Sequence, residues 1–286
     1  ERWIGQTSKG DWVVALFNRS DSTVTKSIDF ESILGLSYGG YVHDVWKHTN
    51  LGSMTSYSVS LQPHDVSMII ISPDRTNATA IRYEAEVASY QNGAHFNNDH
   101  TGCSGEGFVD QLSGEHTGAD VLFGVYADYT GSHRITMRYA NATGAASSAT
   151  IKVKSETNAQ VDTAVLSLPA LSSWDDWGTA SVSVELNQGL NLISVGRETT
   201  DTGAFNLDCI DVYMAEINNA GFETGTITGW AAEGNNYGID NSDAYRGDYK
   251  CYFWSENEFD QRISQTVSLP NGAYLVSAMV TQDTGT

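Results

Sequence analysis

Ala180-Ser181-Val182-Ser183-Val184-Glu185-Leu186 alternates apolar and polar residues with a period of two. This period is typical of a β-strand that buries one face and exposes the other. The same alternation occurs in Tyr57–Leu61, where serines separate the apolar residues. Helical spacing is confined to Phe30–Leu36 and a few short turns, while turn sequences such as Asn187-Gln188-Gly189 punctuate the chain. The sequence therefore predicts an all-β protein.

Length and charge limit the classes of protein that the chain can represent. It has 286 residues and a formal net charge of −20. This length predicts two or three domains, and so acidic a surface repels nucleic acids and anionic membranes, so we expect neither as a partner. No apolar run reaches about 18 residues, and Glu1-Arg2-Trp3 does not resemble the start of a signal peptide. We expect a piece cut from a longer, secreted protein.

Breaks in the alternation predict the domain boundaries. The first domain covers residues 1–73, and the aperiodic segment 74–80, which is rich in small polar residues, is a linker. The second domain covers 81–217. The third covers 218–286 and is too short for a complete β-sandwich.

The cysteines are Cys103, Cys209 and Cys251, an odd number with no zinc-type spacing. The sequence is therefore not a disulfide scaffold. One bridge between Cys103 and Cys209 remains open.

Three blocks of the first domain, Lys9–Ser20, Val42–His48 and Leu61–Met68, resemble the C-terminal β domain of glycoside hydrolase family 27, best known for α-galactosidases. The resemblance covers nearly all of residues 3–73 and implies a Greek-key β domain. In that family the catalytic residues belong to a barrel that precedes this domain. The resemblance therefore implies that the chain is non-catalytic and that its partner is an upstream catalytic barrel of the same polypeptide.

The residues of the first domain agree with a structural role. Retaining glycosidases need two carboxyl groups about 5 Å apart across a rigid cleft, whereas most acids here occupy turns or strand ends. Trp12 and Trp46 lie in strand-like runs, and we expect both in the core rather than on a sugar-binding surface.

Five blocks of the second domain resemble carbohydrate-binding module families 35 and 6, which are jelly-roll β-sandwiches. The blocks are Tyr83–Glu86, Gly102–Asp110, Arg138–Asn141, Ser173–Trp177 and Asn206–Val212. Residues 219–230 resemble the start of another such module. The expected architecture is a Greek-key β domain, a jelly-roll β-sandwich and a truncated second jelly-roll.

The resemblance implies a structural calcium held by Glu84, Glu86 and Asp208. The alternation agrees, since it predicts Glu84 and Glu86 on one face of their strand and Asp208 on the same face as Ile210 and Val212. Buried carboxylates are costly unless they are paired or bind a metal. The alternative that these acids are solvated strand ends stays open.

The resemblance also places a sugar site at loops on one end of the sandwich, with Trp174 as the stacking ring and Asn206 as the hydrogen-bonding amide. Further polar contacts are expected from Gln111, Glu115 and His116. A flat ring suits the apolar face of a pyranose, and we expect a neutral galactose-type sugar. Packing of Trp174 is the alternative, and Trp177, which begins the following strand, is expected to be buried.

These observations favour a non-catalytic carbohydrate-binding region of a secreted α-galactosidase-like glycoside hydrolase, which binds galactose-containing oligo- or polysaccharides and a structural calcium. One alternative is a set of structural spacer domains without ligand. Another is an enzyme whose cleft lies between the first two domains.

Overall fold

The computed structural model describes residues 1–74, 80–127, 130–213, 219, 221–222, 224–244, 249–267, 278 and 280–281. Antiparallel strands dominate these residues, which confirms the all-β prediction. Within the described ranges, no helix has the length and hydropathy needed to cross a bilayer. The chain divides into two compact units, Glu1–Met214 and Ala215–Thr286, and the first contains two sandwiches.

The first sandwich has a five-stranded sheet in the order β1-β2-β7-β4-β5 and a two-stranded sheet, β3-β6. Its strands are β1 (Arg2–Gln6), β2 (Trp12–Phe17), β3 (Val24–Asp29), β4 (Gly40–Asp44), β5 (Thr49–Met54), β6 (Ser56–Leu61) and β7 (Val66–Pro73). Helix α1 (Phe30–Leu34) lies within the segment expected to be helical, and its N-cap residue Asp29 accepts a 2.8 Å hydrogen bond from the Ser32 amide.

Alternating residues of β2 and β7 build the core of the first sandwich. Trp12, Val14 and Leu16 face inward together with Ile69 and Ile71, and all five are at most 2 % exposed. Burial of such apolar area is the main force that stabilises the fold.

The two tryptophans expected in this core behave differently. The prediction is confirmed for Trp12, which is 1 % exposed, and wrong for Trp46, which is 60 % exposed. The reason is that β4 ends at Asp44, so Trp46 belongs to the turn before β5 and not to a strand.

The second sandwich packs two sheets face to face. One has the order β10-β11-β18-β13-β16, with β8 also paired to β18, and the other has the order β15-β14-β17-β12-β9. The strands are β8 (Ala80–Glu84), β9 (Ser89–Gln91), β10 (His95–Asn97), β11 (Phe108–Leu112), β12 (Asp120–Ala127), β13 (Gly131–Ala140), β14 (Ser147–Ser155), β15 (Gln160–Leu168), β16 (Gly178–Leu186), β17 (Gly189–Gly196) and β18 (Phe205–Tyr213). The core between the sheets is apolar, with Phe123, Met137, Ile151 and Leu207 at most 2 % exposed.

The end of β1 and the turn after it in the first sandwich contact β8 and β12 of the second. The Gln6 side chain donates a 2.6 Å hydrogen bond to the Arg82 carbonyl and accepts one of 3.2 Å from the Glu84 amide. The Ser8 carbonyl accepts hydrogen bonds of 2.8 Å from the Tyr83 hydroxyl and the Tyr126 amide. These contacts fix the start of the second sandwich against the first.

The second unit contains two small antiparallel sheets, β19-β22 and β20-β21, in its described residues. Their strands are β19 (Ala231–Glu233), β20 (Tyr237–Asp240), β21 (Lys250–Phe253) and β22 (Arg262–Ser264). The predicted linker 74–80 falls mostly on residues 75–79, outside the described residues.

Candidate functional site

Three carboxylates and one serine form a buried group at the edge of the second sandwich, which we call the acid cluster: Glu84, Glu86, Ser104 and Asp208. The Ser104 hydroxyl lies 2.8 Å from Glu84 Oε2 and 3.0 Å from Asp208 Oδ2, and its amide donates to Asp208 Oδ1 at 2.9 Å. The Glu106 amide donates to Glu86 Oε1 at 3.0 Å. Ser104 and Glu106 belong to the loop between β10 and β11, so this loop closes over the acids.

The backbone reaches this arrangement by two irregularities that the alternation did not predict. Strand β8 ends at Glu84, and Glu86 belongs to a 3-10 turn, Ala85–Val87, so the expectation that both glutamates share a strand face is wrong. A β-bulge separates the ladder pairs Arg138–Cys209 and Tyr139–Leu207, which leaves Asp208 without a ladder partner.

The bulge also changes which residues of β18 enter the core. Leu207, Ile210 and Val212 belong to the core, whereas Asp208 is fully buried against Ser104 and Arg138. The expectation that Asp208 shares the face of Ile210 and Val212 is therefore wrong, because the extra residue shifts the period.

The acids of the cluster resist ionisation. Burial, and then the charges of Glu86 and Asp208, raise the pKa of Glu84 well above its usual value. Burial raises the pKa of Glu86 to about 8. Burial also raises the pKa of Asp208, although the Arg138 guanidinium opposes this shift. Negative charge at this position is thus under-compensated.

The donor set of the cluster fits a hard cation in part. Carboxylate oxygens are the ligands that Ca²⁺ prefers, and Glu84 Oε1 and Glu86 Oε2 are buried without a hydrogen-bond partner. Asp208 Oδ2, in contrast, is bound by Arg138, and the described residues contain no set of three His, Cys, Asp or Glu side chains arranged to hold a metal ion. The orphaned oxygens belong to the two glutamates.

Arg138 connects the acid cluster to a group of aromatic rings on the outer side of the same sheet. Its Nη1 bonds Asp208, its Nη2 donates to the Gly102 carbonyl at 2.8 Å, and its guanidinium carbon lies 5.4 Å from the centre of the Trp177 ring. Trp177 in turn meets Phe108 edge-on, with 5.3 Å between ring centres. Trp177 is therefore half-buried outside the core rather than inside it, contrary to expectation.

Trp174 lies on a loop that hydrogen bonds fix immediately after it. The Asp175 carboxylate accepts hydrogen bonds of 2.7 and 3.1 Å from the amide and hydroxyl of Thr101, and the Trp177 indole donates to the Thr101 carbonyl at 2.8 Å. The Trp174 ring is half-buried and stacks on His100, with 6.3 Å between ring centres and 23° between planes. The ring is held in place without being part of the core.

Asn206 lies in β18 between Ala140 of β13 and the bulge of β11. Its residue is 7 % exposed, and its side-chain amide makes no hydrogen bond to another described residue. Gln111, with a φ of 61°, belongs to that bulge, so its position opposite Asn206 depends on a backbone irregularity.

The other two predicted polar contacts lie beyond β11 in a 3-10 turn, Gly114–His116. Glu115 is exposed there, and His116 packs so closely on Gly93 that a Cβ at Gly93 would overlap the imidazole. All five predicted sugar contacts thus lie towards one end of the same sheet, where β11 and β13 end and β16 and β18 begin. Among the described residues, no contact joins Trp174 to the other four.

A cavity of about 240 Å³ lies at the junction of the two sandwiches, between residues 35–39 and the β8–β18 pair. Its one acid on β18, Asp211, accepts hydrogen bonds of 2.9 and 3.0 Å from the Arg82 guanidinium. That ion pair ties β8 to β18 and gives Asp211 a structural role.

Sequence reasoning assigned no role to Ser104, Gly105, His100 or Arg138, which complete the two groups described above. A signal was available for the loop, because Gly102 and Gly105 flank Ser104 closely in the sequence, and the structure gives Gly105 a φ of +61°. The contacts of Arg138 and His100 join residues far apart in sequence, which no local pattern shows. The open question of a Cys103–Cys209 bridge is answered, since both thiols are free.

Comparison with known families places names on the two sandwiches. Residues 1–71 match the family model described as alpha galactosidase C-terminal beta sandwich domain. Residues 84–213 match carbohydrate binding module (family 6). The first unit is thus similar to such a C-terminal β-sandwich domain followed by a carbohydrate-binding module. This agrees with the order of the first two domains expected from the sequence.

Individual relatives extend across both domains. Isomalto-dextranase of Arthrobacter globiformis is 41 % identical over 223 residues, 75 % of this chain and 35 % of that protein. A solved structure of Arthrobacter globiformis T6 isomalto-dextranase complexed with panose superposes with a TM-score of 0.70, at 44 % identity, over 74 % of this chain and 36 % of that one. The 1,6-alpha-glucosyltransferase of Sporosarcina globispora is 36 % identical over 148 residues, 49 % of this chain and 11 % of that enzyme. The chain thus spans about a third, or less, of the relatives' length.

Proposed function

We propose that the second sandwich binds a neutral oligosaccharide at the end that carries Trp174 and Asn206, and so tethers a secreted glycoside hydrolase to its substrate. The observation that carries the proposal is the Trp174 loop, which Thr101 holds through Asp175 and Trp177 while the Trp174 indole keeps a partly exposed surface. A ring held in place loses little conformational entropy when a pyranose stacks on it. The match to a carbohydrate-binding module supports the same role.

The sugar that we propose first is an α-1,6-linked glucan. Two relatives carry the names isomalto-dextranase and 1,6-alpha-glucosyltransferase, and one solved relative is complexed with panose. These names favour glucose over the galactose expected from the sequence, which is the second candidate. The parent enzyme that we propose is accordingly a glucan-directed hydrolase or transferase, with its catalytic part outside this chain.

We further propose that the acid cluster holds a structural Ca²⁺ through Glu84 and Glu86, with Asp208 at its margin. Support comes from two buried glutamate oxygens without partners and from the raised pKa values of the acids. A bound cation would compensate the charge that burial disfavours. Through Asp208 and Arg138 it would stiffen the support of the Trp177 and Trp174 loop.

Affinity electrophoresis in gels containing dextran, galactomannan or xylan tests the sugar proposal. We expect retardation in dextran and its loss in Trp174→Ala, with affinity reduced by about 30-fold, as for the removal of a central aromatic contact. Tyr90→Ala, which removes an exposed ring from the other sheet of the same sandwich, is the matched control and keeps its retardation.

Three results separate the candidates. Retardation only in galactomannan would transfer the proposal to galactose. Retardation that Trp174→Ala leaves unchanged would move the site elsewhere. No retardation in any gel, by protein whose melting curve shows it folded, would leave the structural spacer as the function.

A further inference from the structure

Trp46 is the most exposed indole of the first unit, and its packing does not explain its position. It is 60 % exposed, it belongs to neither core, and among the described residues neither its ring nor its N–H has an aromatic, cationic or hydrogen-bonding partner. Trp3 is a natural comparison at 59 % exposure. Its indole donates to Glu1 at 2.7 Å and its ring packs on Phe17 with 5.0 Å between centres. Trp3 thus has a hydrogen-bonding and an aromatic partner, whereas Trp46 has neither among the described residues.

Trp46 borders an open mouth between the two sheets of the first sandwich, where β4 and β6 end and β7 begins. The cavity volume is about 500 Å³, within the range of small-molecule sites. Val59, Leu61 and Val66 supply its apolar lining. We call this cavity the Trp46 mouth.

The polar rim of the Trp46 mouth offers both donors and acceptors. Lys47 is fixed by Asp44, to which it gives its amide and its ammonium at 2.9 Å each, and the ammonium keeps further protons to donate. The Ser60 hydroxyl and Asp65 Oδ2 make no hydrogen bond to another described residue, and both residues line the mouth. A hexose presents one patch of C–H groups and a set of hydroxyls, which matches an indole beside fixed donors and acceptors.

We propose that the Trp46 mouth is a second carbohydrate-binding site, which takes a neutral hexose unit of the same polysaccharide that the second sandwich binds. The indole stacks on the pyranose ring, Lys47 donates to sugar oxygens, and Ser60 and Asp65 accept from sugar hydroxyls. A folded protein partner is a poorer match, since stable protein interfaces bury about 800 Å² on each side and the mouth is small. The choice of sugar rests on the proposed function, whereas the site itself rests on the first sandwich alone.

Two sugar sites in one compact unit have a measurable consequence. The Trp46 mouth and the Trp174 loop belong to different sandwiches that share the unit Glu1–Met214. A polysaccharide that reaches both sites binds more tightly than a short oligosaccharide that fills them independently. Loss of Trp46 should therefore weaken binding to the polymer more than binding of a trisaccharide to the remaining site.

Nuclear magnetic resonance of the indole N–H groups tests each site directly. The chain has seven tryptophans, and the signals of Trp3, Trp46 and Trp174 are assigned by their disappearance in the three single Trp→Phe variants. A trisaccharide prepared from dextran is then titrated into uniformly ¹⁵N-labelled protein. We expect saturable shifts of the Trp46 and Trp174 signals and a fixed Trp3 signal. In Trp174→Phe the shift of Trp46 should persist.

Each pattern of shifts has one reading. Movement of Trp174 without Trp46 overturns the second site and leaves the proposed function standing. Movement of Trp46 without Trp174 supports the second site and removes the proposed first one. If neither signal moves at saturating trisaccharide, both proposals are wrong. An equally large shift of the Trp3 signal would show non-specific binding and overturn the second site. A shift of the Trp46 signal with protein concentration alone would show that another copy of the chain covers Trp46, which also overturns it.

Affinity electrophoresis in dextran gels supplies the second measurement. Trp46→Ala should lower the affinity for dextran by about tenfold or more, while Trp3→Ala changes it little. Because Trp46 contributes to neither core, its substitution should leave the melting temperature nearly unchanged, and a melting curve of each variant verifies this. Unchanged dextran affinity in folded Trp46→Ala contradicts the proposal.

Discussion

Both sandwiches bury a carboxylate near the end of a strand, and the two surroundings differ. Asp44 of the first sandwich accepts hydrogen bonds from the amide and the ammonium of Lys47. Burial would raise the pKa of Asp44, but these hydrogen bonds outweigh burial, so the pKa lies below its usual value. In the second sandwich only Asp208 receives a guanidinium, that of Arg138, while Glu84 and Glu86 accept from the Ser104 hydroxyl and the Glu106 amide, and the pKa values of all three acids are raised.

The difference separates a buried acid that its own turn satisfies from the buried acids at which we propose a cation. Asp44 is satisfied by its own turn, and two of its hydrogen bonds come from a residue three positions away. The acid cluster has more negative charge than its neighbours compensate, and two of its oxygens have no partner. Uncompensated buried charge is costly, and a divalent cation removes the cost. The predictions below test this contrast.

The largest expected difference separates Asp208→Asn from Asp44→Asn. Asp208→Asn leaves the guanidinium of Arg138 without its carboxylate, and breaking a buried ion pair costs about 3 kcal/mol or more. We expect the free energy of unfolding to fall by about 3 kcal/mol, measured by denaturant titration in the absence of calcium. Asp44→Asn should cost less, because Lys47 is mostly exposed and the asparagine oxygen still accepts its amide.

Calcium sharpens the same pair of variants. At a free concentration of 100 times its dissociation constant, a cation that binds only the folded state stabilises it by about 2.7 kcal/mol. We expect this gain in the wild type and in Asp44→Asn, and a clearly smaller gain in Asp208→Asn. A wild type that millimolar Ca²⁺ does not stabilise would remove the cation from the second sandwich, and an equal gain in both variants would place it away from Asp208.

A pair of glycines tests how tightly the acid cluster is closed. Gly105 and Gly144 both have positive φ, +61° and +79°, so alanine pays a similar backbone strain of about 1–2 kcal/mol at either position. A Cβ at Gly144 would meet open space, whereas a Cβ at Gly105 would overlap Glu86 Oε1. We expect Gly105→Ala to destabilise the protein by about 1–3 kcal/mol more than Gly144→Ala, as for other overpacked sites, in thermal unfolding. Equal losses of stability in the two variants would show that the loop between β10 and β11 moves to accommodate the added methyl group.

The sequence predicted the strands well because alternation responds to a buried face, and both sandwiches have one. It failed where the backbone departs from a regular strand. Trp46 was assigned to a strand because it lies in a strand-like run, and the local period does not show that β4 stops at Asp44. The bulge at Asp208 left one trace in the sequence, since Leu207 and Ile210 are three positions apart and both enter the core.

The candidate site was predictable only as a list of residues. The resemblance named three acids that the fold does bring together, yet their partners Ser104 and Arg138 arrive from loops and strands distant in sequence. Likewise, the position of the Trp174 loop depends on hydrogen bonds of Asp175 and Trp177 with Thr101, more than seventy positions earlier in the chain. Such long-range hydrogen bonds follow from the tertiary fold and leave no period to detect.

The pH dependence of stability should have opposite signs for the two kinds of buried acid. In cation-free protein, Glu84 and Glu86 bind protons more tightly in the folded state than in the unfolded state. The pH window of this effect runs from their usual pKa of 4.5 to the value of about 8 for Glu86. The free energy of unfolding therefore falls as the pH rises through this window, by up to about 1.4 kcal/mol per pH unit for each extra proton bound. Asp44, with its lowered pKa, contributes stability that is lost only as the pH falls below about 4.

Denaturant titrations in EDTA at pH 5, 6, 7 and 8 measure this slope. A free energy of unfolding that stays constant or rises over that range would contradict the description of the acid cluster. Saturating calcium should flatten the slope, because the cation favours the ionised carboxylates that burial disfavours.

The smallest expected effect concerns the joint between the sandwiches. Gln6 crosses from the first sandwich to hold the Arg82 carbonyl and the Glu84 amide, so it positions the last residue of β8 from outside the second sandwich. Two lost hydrogen bonds, each worth about 1 kcal/mol, should make Gln6→Ala less stable by about 1–2 kcal/mol. Gln62→Ala is the control, because among the described residues the Gln62 side chain bonds only Thr23 of its own sandwich, and Asn18 bonds the Gln62 backbone carbonyl, which alanine keeps. Since Glu84 is a proposed ligand, Gln6→Ala should also weaken calcium binding a few-fold in calorimetric titration. Equal calcium affinities in the two variants would mean that the first sandwich stabilises the second without affecting its acid cluster.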